Sequence, residues 1–187
     1  MAENAEIRWE YDVVEVGQTG PKLTIEVTEE LIATYAKAVR NPNPDYYPAE
    51  SGELERLVKL AMPTMIFRVA PLRRPDIAAN NGFTALEKAS ENARQTPFSK
   101  CEVRWHAPIQ SGDFITSFGH ILSKEERRGN KFVTFRVEAT NQNDEKVAEY
   151  DYTCVFEYAK GQNTRESCNL TPIFTGRKIQ WQSAPRR

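Results

Sequence analysis

The sequence predicts an α+β fold, and three patterns carry that prediction. Residues 28–40 have the apolar spacing of an amphipathic helix, and residues 64–72 are almost entirely apolar. Residues 98–158 alternate between polar and apolar positions, with the period of half-buried strands. Short turns divide this last stretch into consecutive strands, which is typical of an antiparallel meander. We therefore expect a few helices packed on an antiparallel sheet.

The first elements lead into the helix. Residues 7–16 are predicted to be extended, residues 17–21 form a turn, and residues 22–27 alternate as a short half-buried strand. Thr28 is a good helix N-cap, because its hydroxyl can accept from an amide of the first turn. The dipeptide Asn41-Pro42 stops the helix, because a residue before proline is disfavoured in the helical region.

Two further helices are predicted after this loop. Residues 53–60 have helical spacing, and Pro63 is well placed as the first residue of the next helix. Residues 64–72 are predicted to be a buried central helix, which Pro71 ends or bends early. Residues 73–97 are polar and irregular. We interpret them as an insertion that covers the central helix or a substrate channel, with a short helix over residues 85–94.

The meander begins at Phe98. Strands are predicted over residues 98–106, 114–123, 132–139 and 147–158, with a hairpin loop at residues 125–130 and a turn at residues 141–144. Residues 161–187 are polar and carry five of the 25 basic residues. We expect residues 1–160 to form a single domain and residues 161–187 to form a partly ordered arm that packs on the domain or on a partner.

Composition excludes several functional classes. The formal net charge of −1 gives no general attraction to nucleic acid or membrane surfaces. No apolar run approaches the ~18 residues of a membrane span, and the first residues lack a signal-peptide core. Three widely spaced cysteines without a CxxC motif favour free thiols in a reducing compartment. We therefore expect a cytoplasmic protein with no metal site and no cofactor.

A specific resemblance starts at the loop after the first helix, Asn41-Pro42-Asn43-Pro44-Asp45-Tyr46. This loop resembles the signature Asp-x-Asn-Pro-x-His of the MaoC-like, R-specific enoyl-thioester hydratases and dehydratases. Asn43 and Pro44 match the signature. The two catalytic positions are substituted, because Asn41 stands at the aspartate and Tyr46 at the histidine.

The resemblance continues into the meander and covers roughly residues 8–158. Residues 104–113 are similar to the family's strand entry, Arg-Pro-hydrophobic-x-x-Gly-Asp, and residues 132–133 and 138–142 are similar to its next landmarks. The family implies a hot-dog fold, in which a curved antiparallel sheet wraps around a central buried helix. It also implies an oxyanion site at Met62-Pro63-Thr64, resembling the family's proline-type variant.

The implied chemistry is hydration of an enoyl thioester carried on CoA or ACP, a fatty-acid type of reaction. It needs groups that move protons and donors that stabilise an enolate oxygen. Asn41 does not titrate, and a tyrosine, with an unperturbed pKa near ~10, is a poor base at neutral pH. The pattern thus resembles the non-catalytic subunits of heteromeric dehydratases, whose partner supplies the acid–base pair. Substrate-binding positions are then expected in the loop, in the oxyanion segment and at two arginines: Pro42, Asn43, Pro44, Met62, Pro63, Thr64, Arg73 and Arg74, with the arginines meeting carrier phosphates.

Three other readings stay open. The chain could act alone, with Tyr46 as acid and Asp45 or His106 as base. It could bind acyl-CoA without catalysis, as a sensor or interaction module. A thioesterase has less support, because residues 64–72 contain no carboxylate. His106 and His120 fall in predicted strands and favour structural or exposed roles. In all readings a homo- or hetero-oligomer with another hot-dog chain is expected, because hot-dog units complete each other's sheet edge.

Overall fold

A five-stranded antiparallel sheet forms the body of the protein in the computed structural model, which describes residues 6–47, 59–159, 171–175 and 178–182. The strands of this sheet lie in the order β1-β3-β4-β5-β2, and two later strands form a separate ribbon. Their bounds are β1 Leu23–Glu26, β2 Phe98–Trp105, β3 Phe114–Arg127, β4 Asn130–Thr140, β5 Lys146–Glu157, β6 Thr171–Thr175 and β7 Lys178–Gln182. The helices are α1 Glu29–Ala38, α2 Ile66–Val69 and α3 Arg74–Asn80, with 3-10 turns at Tyr11–Val13, Pro44–Tyr46, Pro63–Met65 and Leu86–Lys88.

The antiparallel meander β3-β4-β5 is confirmed, but its first turn is tighter than predicted. The predicted six-residue loop over residues 125–130 is wrong, because β3 runs to Arg127 and β4 starts at Asn130. Arg128 and Gly129 alone make the turn, with φ values of 52° and 78°. Two consecutive residues with positive φ match the twist of the flanking strands, so the charged residues before them continue the ladder.

Helix α1 starts as its sequence predicts. The Thr28 hydroxyl accepts from the amide of Leu31 at 3.1 Å. Glu29 and Glu30 occupy the first turn, where the positive end of the helix dipole favours acids. Ile32 and Ala36 are buried, and the helix ends before the Asn-Pro loop. The capped amphipathic helix therefore places that loop against the body.

The central helix is much shorter than predicted. Its helical part is a 3-10 turn followed by the four residues of α2, and Phe67 is 44% exposed. The prediction of a helix over residues 64–72 is therefore wrong in length and in complete burial. Pro71 explains the end, because it lacks an amide and pushes Ala70 out of the helical region, to φ −134° and ψ 63°.

The segment over residues 73–97 belongs to the core. It was predicted to be an irregular insertion with a helix over residues 85–94, but only Leu86–Lys88 is helical in that stretch, as a 3-10 turn. Helix α3 was missed, and its Ile77 and Ala78 are buried with Leu86. They pack with Trp9, Val14, Phe135 and Phe156 in one of two apolar clusters. The segment therefore closes one end of the sheet.

The second apolar cluster fills the concave face of the sheet. Val27 and Ile32 from the first helix region meet Met65, Ile66 and Val69 from the central turns. Tyr150 of β5 lies among them, and its hydroxyl donates to the carbonyl of Ala70 at 2.7 Å. A curved sheet around a central helical segment is the expected hot-dog arrangement, so the predicted fold class is confirmed.

The N-terminal lead-in and the C-terminal arm contain more regular structure than predicted. The predicted lead-in at residues 7–16 contains the 3-10 turn Tyr11–Val13. Most of the helix predicted over residues 53–60 lies outside the described residues, but Leu60 is in a β-bridge with Gln110. Parts of the predicted arm form the ribbon of β6 and β7. Among the described residues, no helix has the length and hydropathy of a membrane span.

Candidate functional site

The loop after α1 is built by its own asparagines. The Asn41 side chain accepts from the amide of Asn43, and the Asn43 side chain accepts from the amide of Asp45, each at 3.0 Å. These Asx turns lead into the 3-10 turn that starts at Pro44. The Asn-Pro-Asn-Pro spacing thus encodes a rigid loop without help from a ligand.

This loop faces the start of the central helical segment. The Tyr47 hydroxyl donates to the Asn41 carbonyl at 2.7 Å, which closes the loop on itself. The Asn41 amide nitrogen lies 3.6 Å from the sulfur of Met62. Tyr46 is half-buried and packs against the concave cluster. The structure therefore brings Asn41, one of the two predicted catalytic positions, beside Met62, one of the predicted oxyanion residues.

Lys59 is the residue of this region that sequence reasoning missed. It is 7% exposed, its ammonium donates to the carbonyl of Tyr47, and it lies 3.8 Å from a carboxylate oxygen of Glu29. Its backbone is paired with Ser111 through two hydrogen bonds of 3.1 and 2.7 Å. Burial of a lysine is uncommon and calls for acceptors around it. The sequence carried no signal for its burial, because a lysine predicts solvent exposure even where its neighbours, Val58 and Leu60, are apolar.

The predicted oxyanion segment offers few amide donors. Pro63 has no N–H, and the amide of Met65 donates to the carbonyl of Met62 at 2.8 Å. The indole N–H of Trp105 donates to the carbonyl of Pro63 at 3.2 Å, which fixes the turn from outside. Thr64 is the remaining member of the segment and is exposed. Within the predicted segment, the backbone amides that could face an oxyanion are therefore those of Met62 and Thr64.

An apolar cavity of about 260 Å³ opens beside the short helix α2. It is lined by Phe67, Pro71, Leu72, Arg74, Tyr150 and Tyr152. Burial raises the pKa of the Tyr150 phenol. Tyr150 therefore stays neutral at ordinary pH and holds its hydrogen bond to the Ala70 carbonyl. The cavity lies between the segment from Phe67 to Arg74 and strand β5.

The two predicted phosphate-binding arginines already have partners. The Arg74 guanidinium donates to the carbonyl of Thr96 at 3.2 Å and to the sulfur of Cys154 at 3.3 Å, and it pairs with Glu87 at 3.3 Å. Arg73, the residue before α3, pairs with Asp76 of α3. Arg74 therefore anchors the residue 84–97 segment to the sheet. Contact of either arginine with a carrier phosphate stays a prediction.

An exposed apolar strip runs along the edge strand β2 on the concave side. Phe98 is 57% exposed and Trp105 is 51% exposed, and Phe67 of α2 packs edge-on against Tyr150 of the neighbouring strand β5. We define the apolar strip as Phe67, Phe98, Cys101, Val103, Trp105 and Tyr152. Because β2 ends the sheet order, its outer backbone edge is unpaired by the other strands of that sheet.

The two histidines lie away from the loop elements described above. His106 follows the last residue of β2, not within it as predicted, and its amide donates to the Val147 carbonyl. His120 lies in β3, stacked on Phe118 with ring centroids 5.9 Å apart and paired with Arg136 of β4. In the part of the chain described, no cluster of three His, Cys, Asp or Glu residues is placed to hold a metal ion.

The fold and the loop define a hot-dog domain of the hydratase and dehydratase type. The chain belongs to the family described as FAS1-like, dehydratase domain region, whose model matches residues 15–150. This membership confirms the MaoC-like resemblance that the loop and the meander indicated. The roles of the individual site residues remain predictions.

Relatives agree with this assignment. A UPF0336 protein of Saccharopolyspora erythraea is 24% identical over 135 residues, which are 72% of this chain and 83% of the relative. The C-terminally truncated HadBC (3R-hydroxyacyl-ACP dehydratase) complex of Mycobacterium tuberculosis contains a chain with a TM-score of 0.54 and 20% identity, covering 75% of this chain and 96% of that one. The R-hydratase PhaJ1 of Pseudomonas aeruginosa has a TM-score of 0.53 and 18% identity, with 89% and 96% covered. At these identities the two structures establish the shared fold.

Proposed function

We propose that this chain is the acyl-thioester-binding subunit of an R-specific enoyl-CoA or enoyl-ACP hydratase, with the acid–base pair supplied by a partner chain. The observation that carries the proposal is that the helix, loop and meander of the family are present while its two catalytic positions hold Asn41 and Tyr46. Asn41 cannot take or give a proton at neutral pH, and its side chain is occupied by the turn at Asn43. Tyr46 stands where the family places an imidazole that titrates near neutrality.

The oxyanion segment supports the same conclusion. Pro63 removes one amide and Met65 uses another, so the preorganised donors that stabilise an enolate are reduced. A subunit that shapes the site without performing the proton transfers does not need these donors. The geometry therefore favours binding over catalysis by this chain alone.

The apolar cavity supports binding of an acyl tail. Its lining combines aliphatic and aromatic side chains with one charged group, Arg74, which is the usual composition of small-molecule sites. A volume of about 260 Å³ suits a short or medium acyl chain. Its strand residues, Tyr150 and Tyr152, lie in β5 next to the edge strand β2, so a second chain docked on that edge and its concave face would approach the cavity.

The free edge of β2 supports assembly with another hot-dog chain. Its concave face carries the apolar strip, and exposed apolar surface on an edge strand usually marks an interaction site. HadBC, one of the similar structures, is a complex. We propose a partner of the same fold that carries a complete Asp-x-Asn-Pro-x-His loop.

The test is crotonyl-CoA hydration by the purified chain alone and after co-expression with such a partner. We expect no enzymatic turnover from the chain alone and turnover of ~1–10³ s⁻¹ from the pair. Turnover of that size by the chain alone would overturn the subunit proposal. A pair that co-purifies but gains no acyl-CoA binding from this chain would overturn its acyl-binding role.

Buried Lys59 favours a second candidate, a self-sufficient lyase with altered chemistry. Its ammonium lies at the end of the catalytic loop, where it could act with Tyr46. This candidate predicts that activity of the chain alone is lost in both Tyr46→Phe and Lys59→Met. A chain that is inactive before substitution excludes it.

A further inference from the structure

The apolar cavity beside α2 has two hydrogen-bonding residues in its lining whose role the proposed function leaves open. They are Arg74 and Tyr152, and the rest of the lining consists of apolar side chains and Tyr150. A few convergent polar groups in an otherwise apolar cavity fix the orientation of a ligand and provide specificity. The donors of Arg74 and Tyr152 therefore bear on the class of acyl chain that the cavity takes.

The two tyrosines of the lining use their hydroxyls differently. The Tyr150 hydroxyl donates to the carbonyl of Ala70 at 2.7 Å. Tyr152 is half-buried and its ring packs against Phe98, with ring centroids 5.0 Å apart, but its hydroxyl has no hydrogen-bond partner among the described residues. A tyrosine hydroxyl that is removed from solvent usually has a partner. The hydroxyl of Tyr152 is therefore available to a ligand in the cavity.

Arg74 also keeps part of its donor capacity, since a guanidinium has five N–H donors. Its Nη1 serves the carbonyl and hydroxyl of Thr96 and the sulfur of Cys154, and its Nη2 pairs with Glu87 at 3.3 Å. The Nε–H has no acceptor in the part of the chain that the structure describes. Burial raises the pKa of the Tyr152 phenol and the charge of Arg74 opposes this rise, so the two groups are electrostatic neighbours.

The charge of Arg74 is already balanced by Glu87, whose side chain is only 14% exposed. A carboxylate at the end of an acyl chain would bring a second negative charge into this partly buried site, and burying an uncompensated charge is costly. A neutral oxygen needs only a donor. The charge balance therefore favours a neutral acceptor, such as a ketone carbonyl, over an acid.

We propose that the cavity selects acyl chains with a neutral oxygen substituent, which accepts hydrogen bonds from the Tyr152 hydroxyl and the Arg74 guanidinium. This inference rests on the proposed function and deepens it, because it names the class of acyl chain. A site with dedicated donors rejects a ligand that leaves them unpaired much more strongly than an apolar site rejects an added oxygen. An unsubstituted chain would leave both donors without an acceptor.

The first test compares four thioesters of equal chain length by titration calorimetry on the full chain. They are octanoyl-CoA, 5-oxooctanoyl-CoA, 7-oxooctanoyl-CoA and octanedioyl-CoA. We expect at least one oxo chain to bind about fivefold or more tightly than octanoyl-CoA, the gain from one neutral hydrogen bond. Octanedioyl-CoA, which ends in a carboxylate, should bind no more tightly than octanoyl-CoA. Tightest binding of octanedioyl-CoA, or no preference for either oxo chain, would overturn the inference.

The second test uses the two tyrosines as a matched pair. Tyr152→Phe removes the available hydroxyl and keeps the ring, whereas Tyr150→Phe removes a hydroxyl that is bound to Ala70. We expect Tyr152→Phe to reduce the preference for the oxo chain about threefold or more, with octanoyl-CoA binding unchanged. Tyr150→Phe should keep the preference. The free energy of unfolding of both variants is measured alongside, and an unchanged preference in folded Tyr152→Phe would overturn the role of its hydroxyl.

The same measurements separate this inference from the proposed function. Binding of octanoyl-CoA without a preference for an oxo chain overturns the inference alone. Equal weakening of octanoyl-CoA and the oxo chains in Tyr152→Phe also overturns it, because the hydroxyl would then serve an oxygen of the CoA carrier that all these ligands share. Absence of binding by all four thioesters overturns the proposed acyl-binding function, and the inference falls with it.

Discussion

Asn41 shows how a single residue keeps a family loop while its chemistry changes. Its side-chain oxygen accepts from the Asn43 amide, as an aspartate at the same position could. We expect Asn41→Ala to lower the free energy of unfolding by about 1 kcal/mol, because the Asx turn is lost. Asn41→Asp should stay close to the wild type, because it keeps the acceptor. Urea denaturation of the three proteins measures this, and equal losses in both variants would contradict a turn-forming role.

Asp151 is the most strongly embedded charge on the outer face of the sheet. It is 8% exposed, and its two carboxylate oxygens accept from the Arg136 guanidinium at 2.7 and 2.8 Å. Arg104 adds a second cation at 3.2 Å. The hydrogen bonds from Arg136, followed by its charge and by Arg104, lower the pKa of Asp151. The carboxylate therefore links β5 to its neighbours on both sides.

This pKa shift gives a pH-dependent prediction. A carboxyl whose pKa is lowered in the folded state stabilises the fold above its unfolded value, near ~3.9, and the stability is lost as pH falls through the folded pKa. Asp151→Asn should therefore lower the free energy of unfolding by about 1–2 kcal/mol at pH 7. The difference from the wild type should shrink below about pH 4. Urea melts at pH 7 and pH 3 test it, and a constant difference would exclude a role for the charge.

For single residues, the sequence predicted the helix cap and the Asn-Pro loop but missed the buried charged residues Lys59 and Asp151. Thr28, Asn41 and Pro44 act through neighbours a few positions away, so local patterns reveal them. Lys59 meets Tyr47 and Ser111, which lie 12 and 52 positions away. Asp151 meets Arg136 across a strand pair. Only the folded topology brings such partners together.

Among the elements, the strands were predicted more accurately than the helices. The alternation of polar and apolar residues extends over many positions in β3, β4 and β5. These strands were therefore predicted correctly, and only their ends differ from the prediction. Helix α3 has seven residues and begins with Arg74-Pro75, which gives too little periodicity to detect. Its stability comes from packing on the sheet, where Ile77 lies against the backbone of Gly20 and Gly119.

The close approach of α3 to Gly20 gives a prediction for that element. A Cβ at residue 20 would lie 2.9 Å from Cγ1 of Ile77. We expect Gly20→Ala to cost about 1–2 kcal/mol, because the helix has to shift or Ile77 has to leave its rotamer. In an Ile77→Ala background the same substitution should cost little, because the added methyl enters the space that Ile77 leaves.

A double-mutant cycle by urea denaturation measures this coupling. Contact through Ile77 requires a coupling energy of at least about 1 kcal/mol between the two sites. Additive effects would show that Gly20 is required for a reason other than the approach of α3.

For the whole molecule, the order of elements carried the fold assignment further than any single element. A capped helix, an Asn-Pro loop, an apolar segment and a meander occur in the order that the family implies, and the family model spans residues 15–150. The uncovered part of the concave face was not predicted. It results from the early end of α2 at Pro71. The sequence predicts that this proline ends the helix, but it does not show how much of β5 and β2 is then left uncovered.

The open concave face leads to a prediction about assembly, and two phenylalanines of nearly equal exposure make it testable. Phe67 in the apolar strip is 44% exposed, and Phe114 at the start of β3 is 46% exposed. If a partner hot-dog chain pairs along β2, a charge at residue 67 enters the desolvated interface, whereas one at residue 114 stays in water. Phe67→Lys should weaken the association at least about tenfold, which corresponds to ~1.4 kcal/mol. Phe114→Lys should associate like the wild type.

Sedimentation of the co-expressed pair over a range of concentrations measures both variants against the wild type. Phe67 also packs edge-on against Tyr150, with ring centroids 5.0 Å apart, so the free energy of unfolding of each isolated variant has to be measured alongside. A loss of association in Phe67→Lys with stability close to that of Phe114→Lys places the partner on the concave edge. An equal loss in both variants, or in neither, would place the partner elsewhere on the sheet.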